Sequence, residues 1–112
     1  MLHPEHEPRV AYVAQCLAEA KGPVIAATDY LKAYSDQIRE FVPGRFVSLG
    51  TDGFGRSDTR SKLRKFFEVS REYVVVAALK ALADEGSIAH KEVTQAIKAL
   101  GVQPDKADPS TI

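Results

Sequence analysis

The chain has 112 residues, with 15 Lys and Arg against 15 Asp and Glu, and 45% apolar residues. That balance belongs to an ordinary soluble domain and lacks the basic excess of a dedicated nucleic-acid binder. No apolar run approaches a membrane span, the N-terminus has no signal-peptide core, and the single Cys16 allows no internal disulfide, so a reducing, cytoplasmic setting is expected.

In chain order, Pro8 suits the first turn of a helix on which Val10, Val13, Ala14 and Leu17 fall at helical spacing, and Gly22-Pro23 would stop it. "VIAAT", Val24 to Thr28, reads as a short buried strand. Asp29 is the expected cap of a helix of about three to four turns with Leu31, Tyr34, Ile38 and Phe41 on one apolar face, ended by Pro43-Gly44. "RFVSL", Arg45 to Leu49, is a second strand. Strand, helix and strand make a βαβ unit with parallel strands and a right-handed crossover.

A glycine loop follows, and Asp58 or Ser57 is expected to cap a short helix carrying Leu63, Phe66 and Phe67. Ser70 should cap the next helix, with Val69 and Val74 as a hydrophobic staple. The Val74–Val76 triplet also fits a strand, but the alanines beyond it and Gly86 as a C′ residue favour helix. A last helix bears Val93, Ala96, Ile97 and Leu100 and closes at Gly101; the Pro-containing tail, 103–112, should be irregular. Two strands are a poor sheet for five helices. Either strands are hidden in this reading or the rest of the sheet lies outside this chain. The helix from Tyr73 to Leu82, apolar on most sides, is either an internal core helix or packs on something absent.

The residues "DGFGRSD", then "KFFEV", then "EYVVVAALKALADEG" resemble the C-terminal domain of the transketolase family. The resemblance rests on a Phe-Gly-x-Ser turn (Phe54, Gly55, Ser57), an aromatic pair (Phe66, Phe67) and a Val-x-x-Ala step (Val74, Ala77). Within that family the chain is most similar to the bacterial homodimeric pyruvate dehydrogenases, through "LHP", "PRV", "ATDY", "GTDGFGRSD" and "YVVVAAL", from Leu2 to about Pro109. The resemblance implies an α/β fold: a small parallel sheet with flanking helices, one partial, Rossmann-like domain over residues 1–112. It also implies a longer parent. The parent's other domains would bind thiamine diphosphate and magnesium, decarboxylate pyruvate and acetylate lipoyl groups on dihydrolipoyl acetyltransferase. The expected partners are the rest of that parent, its dimer mate and, through the parent, the acetyltransferase; neither nucleic acid nor membrane is expected.

No catalytic, cofactor or metal residue carries over. The family's diphosphate–metal motif is Gly-Asp-Gly with an Asn about one short helix later; here the stretch is Thr51-Asp52-Gly53, and the chain has no Asn. The candidate interface or ligand positions are Thr28 and Asp29 after the first strand and Thr51, Asp52, Gly53, Phe54, Gly55, Arg56, Ser57 and Asp58 after the second. Ligands in open parallel sheets sit at that strand edge. The loop could cradle an anion, but it lacks a phosphate-binding glycine pattern, and Asp52 and Asp58 would repel phosphate; turn and cap roles account for the same residues. Asp29 and Asp52 could likewise be caps rather than a two-carboxylate cation site. Phe54 reads as an anchor for another domain. Arg56, Arg60, Lys62, Arg64, Lys65 and Arg71 form a basic patch suited to salt bridges or solvation. His3 and His6 stand at a mobile terminus, His90 should be solvated and Cys16 should be a packed thiol. The resulting expectation is a non-catalytic structural and assembly portion of a larger enzyme, against the alternative of a free-standing regulatory or ligand-binding module.

Overall fold

The computed structural model describes residues 1–112. Its elements are α1 (Tyr12–Leu17), β1 (Val24–Ala27), α2 (Lys32–Asp36), a 3-10 turn (Arg39–Phe41), β2 (Phe46–Leu49), α3 (Arg60–Phe66), α4 (Arg71–Asp84), α5 (His90–Ala99) and a second 3-10 turn (Pro109–Thr111). The strands are parallel and in register from Val24 opposite Phe46 to Ala27 opposite Leu49. They form a two-stranded sheet. The α/β class with a small parallel sheet and flanking helices is therefore as the sequence indicates.

Side chains alternate across a strand. Ser48 Oγ meets Ser35 Oγ of α2 at 2.8 Å. Arg39 lies 4.9 Å over the Phe46 ring and donates to the Phe46 carbonyl. Phe46 and Ser48 thus face α2 and its 3-10 extension, which leaves Val47 and Leu49 on the opposite face. Helix α4 packs against both strands and α5 packs on α4. The buried apolar residues are Val42, Phe46, Val69, Ala81, Ala83 and Val93, with Pro109 in the tail.

The core is small for the chain. Only 9 of 112 residues are buried and the accessible surface is 8500 Å². A self-contained protein of this mass exposes about 6,100 Å². The radius of gyration is 17.0 Å, against about 13 Å for a compact domain of this length. Large apolar side chains are part of that surface. Leu31, Tyr34, Ile38 and Phe41, the expected inner face of the crossover, are all exposed, as is Tyr30 beside them. Val75 of α4 is exposed, and Tyr73, Val74, Val76 and Leu79 are only half-buried. The Tyr73–Leu82 segment is helix throughout, not strand, and this chain does not enclose it.

Several local expectations are corrected. The crossover is not one long helix; after Asp36 it slackens and re-forms as a 3-10 turn. With its apolar face uncovered, little tertiary packing holds it in continuous α geometry. Helix α1 starts at Tyr12 rather than near Pro8 and buries nothing, and Cys16 on it is exposed. Asp29 does not cap α2. The Lys32 amide is taken by Asp52 Oδ1, 20 positions away in sequence, at 3.1 Å. Thr59, not Ser57 or Asp58, caps α3 by accepting from the Lys62 amide, while Asp58 accepts from the Thr59 amide. Ser70 holds the N-cap position of α4, but its hydroxyl makes no side-chain cap bond. Val69, placed for the staple, is buried.

The helix ends follow one device. Beyond α4, Gly86 (φ +85°) and the Ser87 amide bonded to the Leu82 carbonyl close a Schellman turn. Gly101 (φ +67°) does the same for α5, with the Val102 amide on the Ile97 carbonyl. Helix α3 closes in the same way, its Val69 amide on the Arg64 carbonyl, but the left-handed residue is Glu68 at φ 62°. A side chain there costs about 1–2 kcal/mol relative to glycine. Its partner Lys106, at 3.4 Å, returns only about 0–1 kcal/mol as a part-exposed ion pair. Glu68→Gly should therefore raise stability by about 0.5–1 kcal/mol, read as a higher urea midpoint at unchanged m-value.

His90 is not merely solvated. Its Nε2 is 3.0 Å from Asp84 Oδ1. Asp84 also binds Arg45 at 3.0 Å and Lys80, so one carboxylate joins the start of β2 to the end of α4 and the start of α5. The Lys80 and His90 hydrogen bonds, with Coulombic help from Lys80 and Arg45, hold the Asp84 carboxyl down to about 2. A depressed carboxyl stabilises the fold above the unfolded pKa near 3.8 and loses that contribution as pH falls through about 2. Stability should drop across that window, and Asp84→Asn should flatten the drop in acid-titrated melts.

Candidate functional site

The C-terminal ends of β1 and β2 open into two adjoining hollows walled by α3. The larger, about 790 Å³, is lined by Thr28, Asp29, Arg60, Arg64, Ser70 and Glu72 among others. The second, about 480 Å³, takes in Thr51, Gly53, Phe54, Arg56, Leu63 and Phe67. Asp29, Arg60, Arg64 and Val69 line both hollows, which together make one cleft.

The strand ends are tied together before they reach α3. Thr28 Oγ1 accepts from the Tyr30 amide at 3.0 Å. Thr51 Oγ1 donates to the Asp29 carbonyl at 2.7 Å, and the Thr51 amide to the Tyr30 carbonyl at 2.9 Å. The two Thr-Asp steps are therefore a mutual brace. Gly50 is buried at the centre of it. A Cβ there would stand 2.6 Å from the Lys32 amide nitrogen and 2.9 Å from the Tyr30 carbonyl oxygen.

The two aspartates part ways. Asp29 receives a two-pronged bond from Arg64, 2.9 Å from Nη2 and 3.3 Å from Nε. That bond holds its carboxyl below the usual range; burial opposes it, and weaker Coulombic pulls from Arg64 and Arg60 add to it. Asp52 turns away from the cleft to the Lys32 amide. It lines a separate cavity of about 120 Å³ with Gly50, Glu68, Asp108 and Pro109. Ser57 lines a shallow hollow with Lys62 and Phe66 on another side of the loop. Of the ten candidate positions, the structure brings Thr28, Asp29, Thr51, Gly53, Phe54, Gly55, Arg56 and Asp58 to the cleft and leaves Asp52 and Ser57 outside it.

The cleft is basic, and part of its charge is engaged within the chain. Arg64 is spent on Asp29 and Arg71 is 3.1 Å from Glu72, while Arg60 and Lys65 have no ion-pair partner. Arg56 stacks 4.0 Å over the Phe66 ring, which meets Phe67 edge-on at 4.9 Å. The amide end of α4 already faces an anion of the chain's own. The Ser70 hydroxyl, the residue's own backbone N–H and the Arg71 guanidinium hold the Glu72 carboxyl down to about 2. Ser70 Oγ is buried and makes no well-formed hydrogen bond. Phe54 is 75% exposed at the rim, the most exposed aromatic ring of the cleft.

Reading the sequence missed Glu72, Ser70, Leu63 and Val69 as cleft residues. Their only local signal is the start of a helix, and it takes the fold to bring α3 and α4 beside the strand ends.

Residues 5–70 match the transketolase-like TK C-terminal domain family. The chain belongs to that family. It is also similar throughout to proteins named pyruvate dehydrogenase E1 component. It is 58% identical over 112 residues to that of Cupriavidus necator, covering 100% of this chain and 12% of the relative. It is 56% identical over 109 residues to that of Pseudomonas aeruginosa (96% and 12%) and 50% identical over 110 residues to that of Escherichia coli (97% and 12%). The chain thus spans about an eighth of the length of these relatives.

As the remote cap of α2, Asp52 should matter to folding more than to any ligand. Asp52→Ala should lose about 1 kcal/mol and Asp52→Asn, which keeps an acceptor, should recover most of it, as measured by urea unfolding.

Proposed function

We propose that this chain serves as a non-catalytic, assembly-forming segment of a pyruvate dehydrogenase E1 component. The observation that carries the reading is how little the chain covers itself: a total accessible surface of 8500 Å², only nine buried residues, and Leu31, Tyr34, Ile38 and Phe41 all exposed. In this reading the exposed crossover face, the outer side of α4 and the free strand edges are covered by the remainder of a longer polypeptide. The parent is a homodimeric cytoplasmic enzyme that decarboxylates pyruvate and acetylates lipoyl groups on dihydrolipoyl acetyltransferase. No helix here is long and apolar enough to cross a membrane.

Thiamine diphosphate with magnesium is the cofactor the family implies for the parent. The residues of this chain do not fit it. The sequence has no Asn to complete the metal pair, and the one Asp in a near-motif, Asp52, is committed to the Lys32 amide. Asp29 is likewise committed to Arg64. The cofactor's site is assigned to the other parts of the parent, and no step of the reaction is assigned here.

A regulatory, anion-binding module is the second reading. The arginine-lined cleft favours it, and the internal partners of Arg64 and Arg71 count against it. One set of measurements separates the two. Calorimetric titration of the purified chain with thiamine diphosphate and magnesium should give no heat of binding, and pyruvate should not be decarboxylated. Either activity would sink the assembly reading. Saturable binding of nucleotides or phosphate, lost in Arg60→Ala, would establish the second. In the parent, Phe54→Ala should weaken assembly by about 1–3 kcal/mol, as a desolvated aromatic anchor does, while leaving the isolated chain's melting unchanged.

A further inference from the structure

The tail after α5 returns to the glycine loop. Pro109 is buried in a 3-10 turn whose start is capped by Asp108, which accepts from the Ser110 amide at 2.8 Å and from its hydroxyl at 2.7 Å. The loop side of the contact is Gly53, held at φ +119°. A Cβ at Gly53 would collide with the Pro109 carbonyl and crowd Ser110, so the two backbones lie directly on each other. Farther back, Lys106 bonds Glu68 at 3.4 Å and stands 5.0 Å from the centre of the Phe66 ring, over which Arg56 of the loop is stacked. Lys32 and Lys106 both pull on the Asp108 carboxylate, adding to the Ser110 bonds that hold it below the usual range. Lys32, Gly50, Asp52, Glu68 and Pro109 enclose one small cavity at this junction.

We propose that the tail, residues 103–112, is a strap that fixes the conformation of the glycine loop and so sets the rim of the cleft. The contacts fall at both ends of the loop. Pro109 stops Gly53 from moving, and Lys106 with Glu68 fixes the aromatic ring that carries Arg56. Between them stands Phe54, which has no cover of its own. With the tail in place, the Thr51 amide keeps the Tyr30 carbonyl and Asp52 keeps the Lys32 amide. With the tail released, Gly53 loses the Pro109 and Ser110 backbone it is seated against, and the loop joins the low-stability part of the fold. Displacing the strap, by a partner that takes the tail or by cleavage within it, therefore loosens the cleft rim without touching the helices.

Hydrogen exchange and limited trypsin digestion on the intact protein test this. Deletion of residues 107–112 should speed exchange at the Thr51 and Lys32 amides and cleavage after Arg56 by about tenfold or more, with α4 and α5 amides unchanged. Gly53→Ala, which keeps the tail but spoils its seat, should reproduce the effect. Gly55→Ala, where an added Cβ meets nothing within 4 Å, should not. Unchanged loop exchange in both the deletion and Gly53→Ala would overturn the proposal. So would faster exchange spread equally over α4 and α5, which would make the tail part of the global core instead of a local strap.

Discussion

A parallel pair of strands has two faces and two edges, and all four need cover. Here α2 and its 3-10 extension lie on one face and α4 on the other, and neither is wide enough to seal it. The strands are four residues each. Their outer edges carry backbone groups without a neighbouring strand. Parallel sheets survive by being buried on both sides, so this pair depends on material beyond its own two ribbons. The large surface, the long radius of gyration and the half-buried valines of α4 all follow from that one deficit.

What holds the elements together in compensation is a set of polar ties between positions far apart in the chain. Asp52 completes α2, Thr51 braces the turn after β1, Arg64 clasps Asp29, and Asp84 gathers Arg45, Lys80 and His90. Each tie is exposed or partly so and individually weak, since solvent screens such pairs. Their effect is geometric: they fix how strand ends, loop and helices sit relative to one another. That matters more here than in a molecule whose apolar core already dictates the arrangement.

The same ties mark the limit of what was legible in the sequence. Periodicity found both strands, α4, α5 and the glycine closures at Gly86 and Gly101, because those signals are local. It placed an unbroken helix between the strands because Leu31, Tyr34, Ile38 and Phe41 recur at helical spacing. That spacing describes a face meant to be covered, and without cover the backbone relaxes after Asp36. The caps were misassigned for a related reason. Asp29 stands immediately before a helix, as a cap should, yet its carboxylate finds a stronger two-pronged partner in Arg64, while α2 receives its cap from a different loop. Glu68 in the left-handed position carried no signal at all, since only a glycine announces such a turn.

Phe54 shows what the deficit means for assembly. An exposed benzyl ring on a freely moving loop would lose conformational freedom on docking, and that loss would offset much of the gain from burying it. This ring is not on a free loop. Gly53 is seated against Pro109 on one side, and Arg56 is stacked on Phe66 on the other. The ordering cost has been met within the fold before any partner arrives, so most of the ring's transfer free energy is available to the interface. An aromatic side chain that is both unburied and pre-positioned is hard to account for as core, whose rings are enclosed, or as ordinary surface, whose rings are not braced. It is the arrangement that the proposed anchor role requires, and it stands beside the uncovered faces of the sheet as support for that proposal.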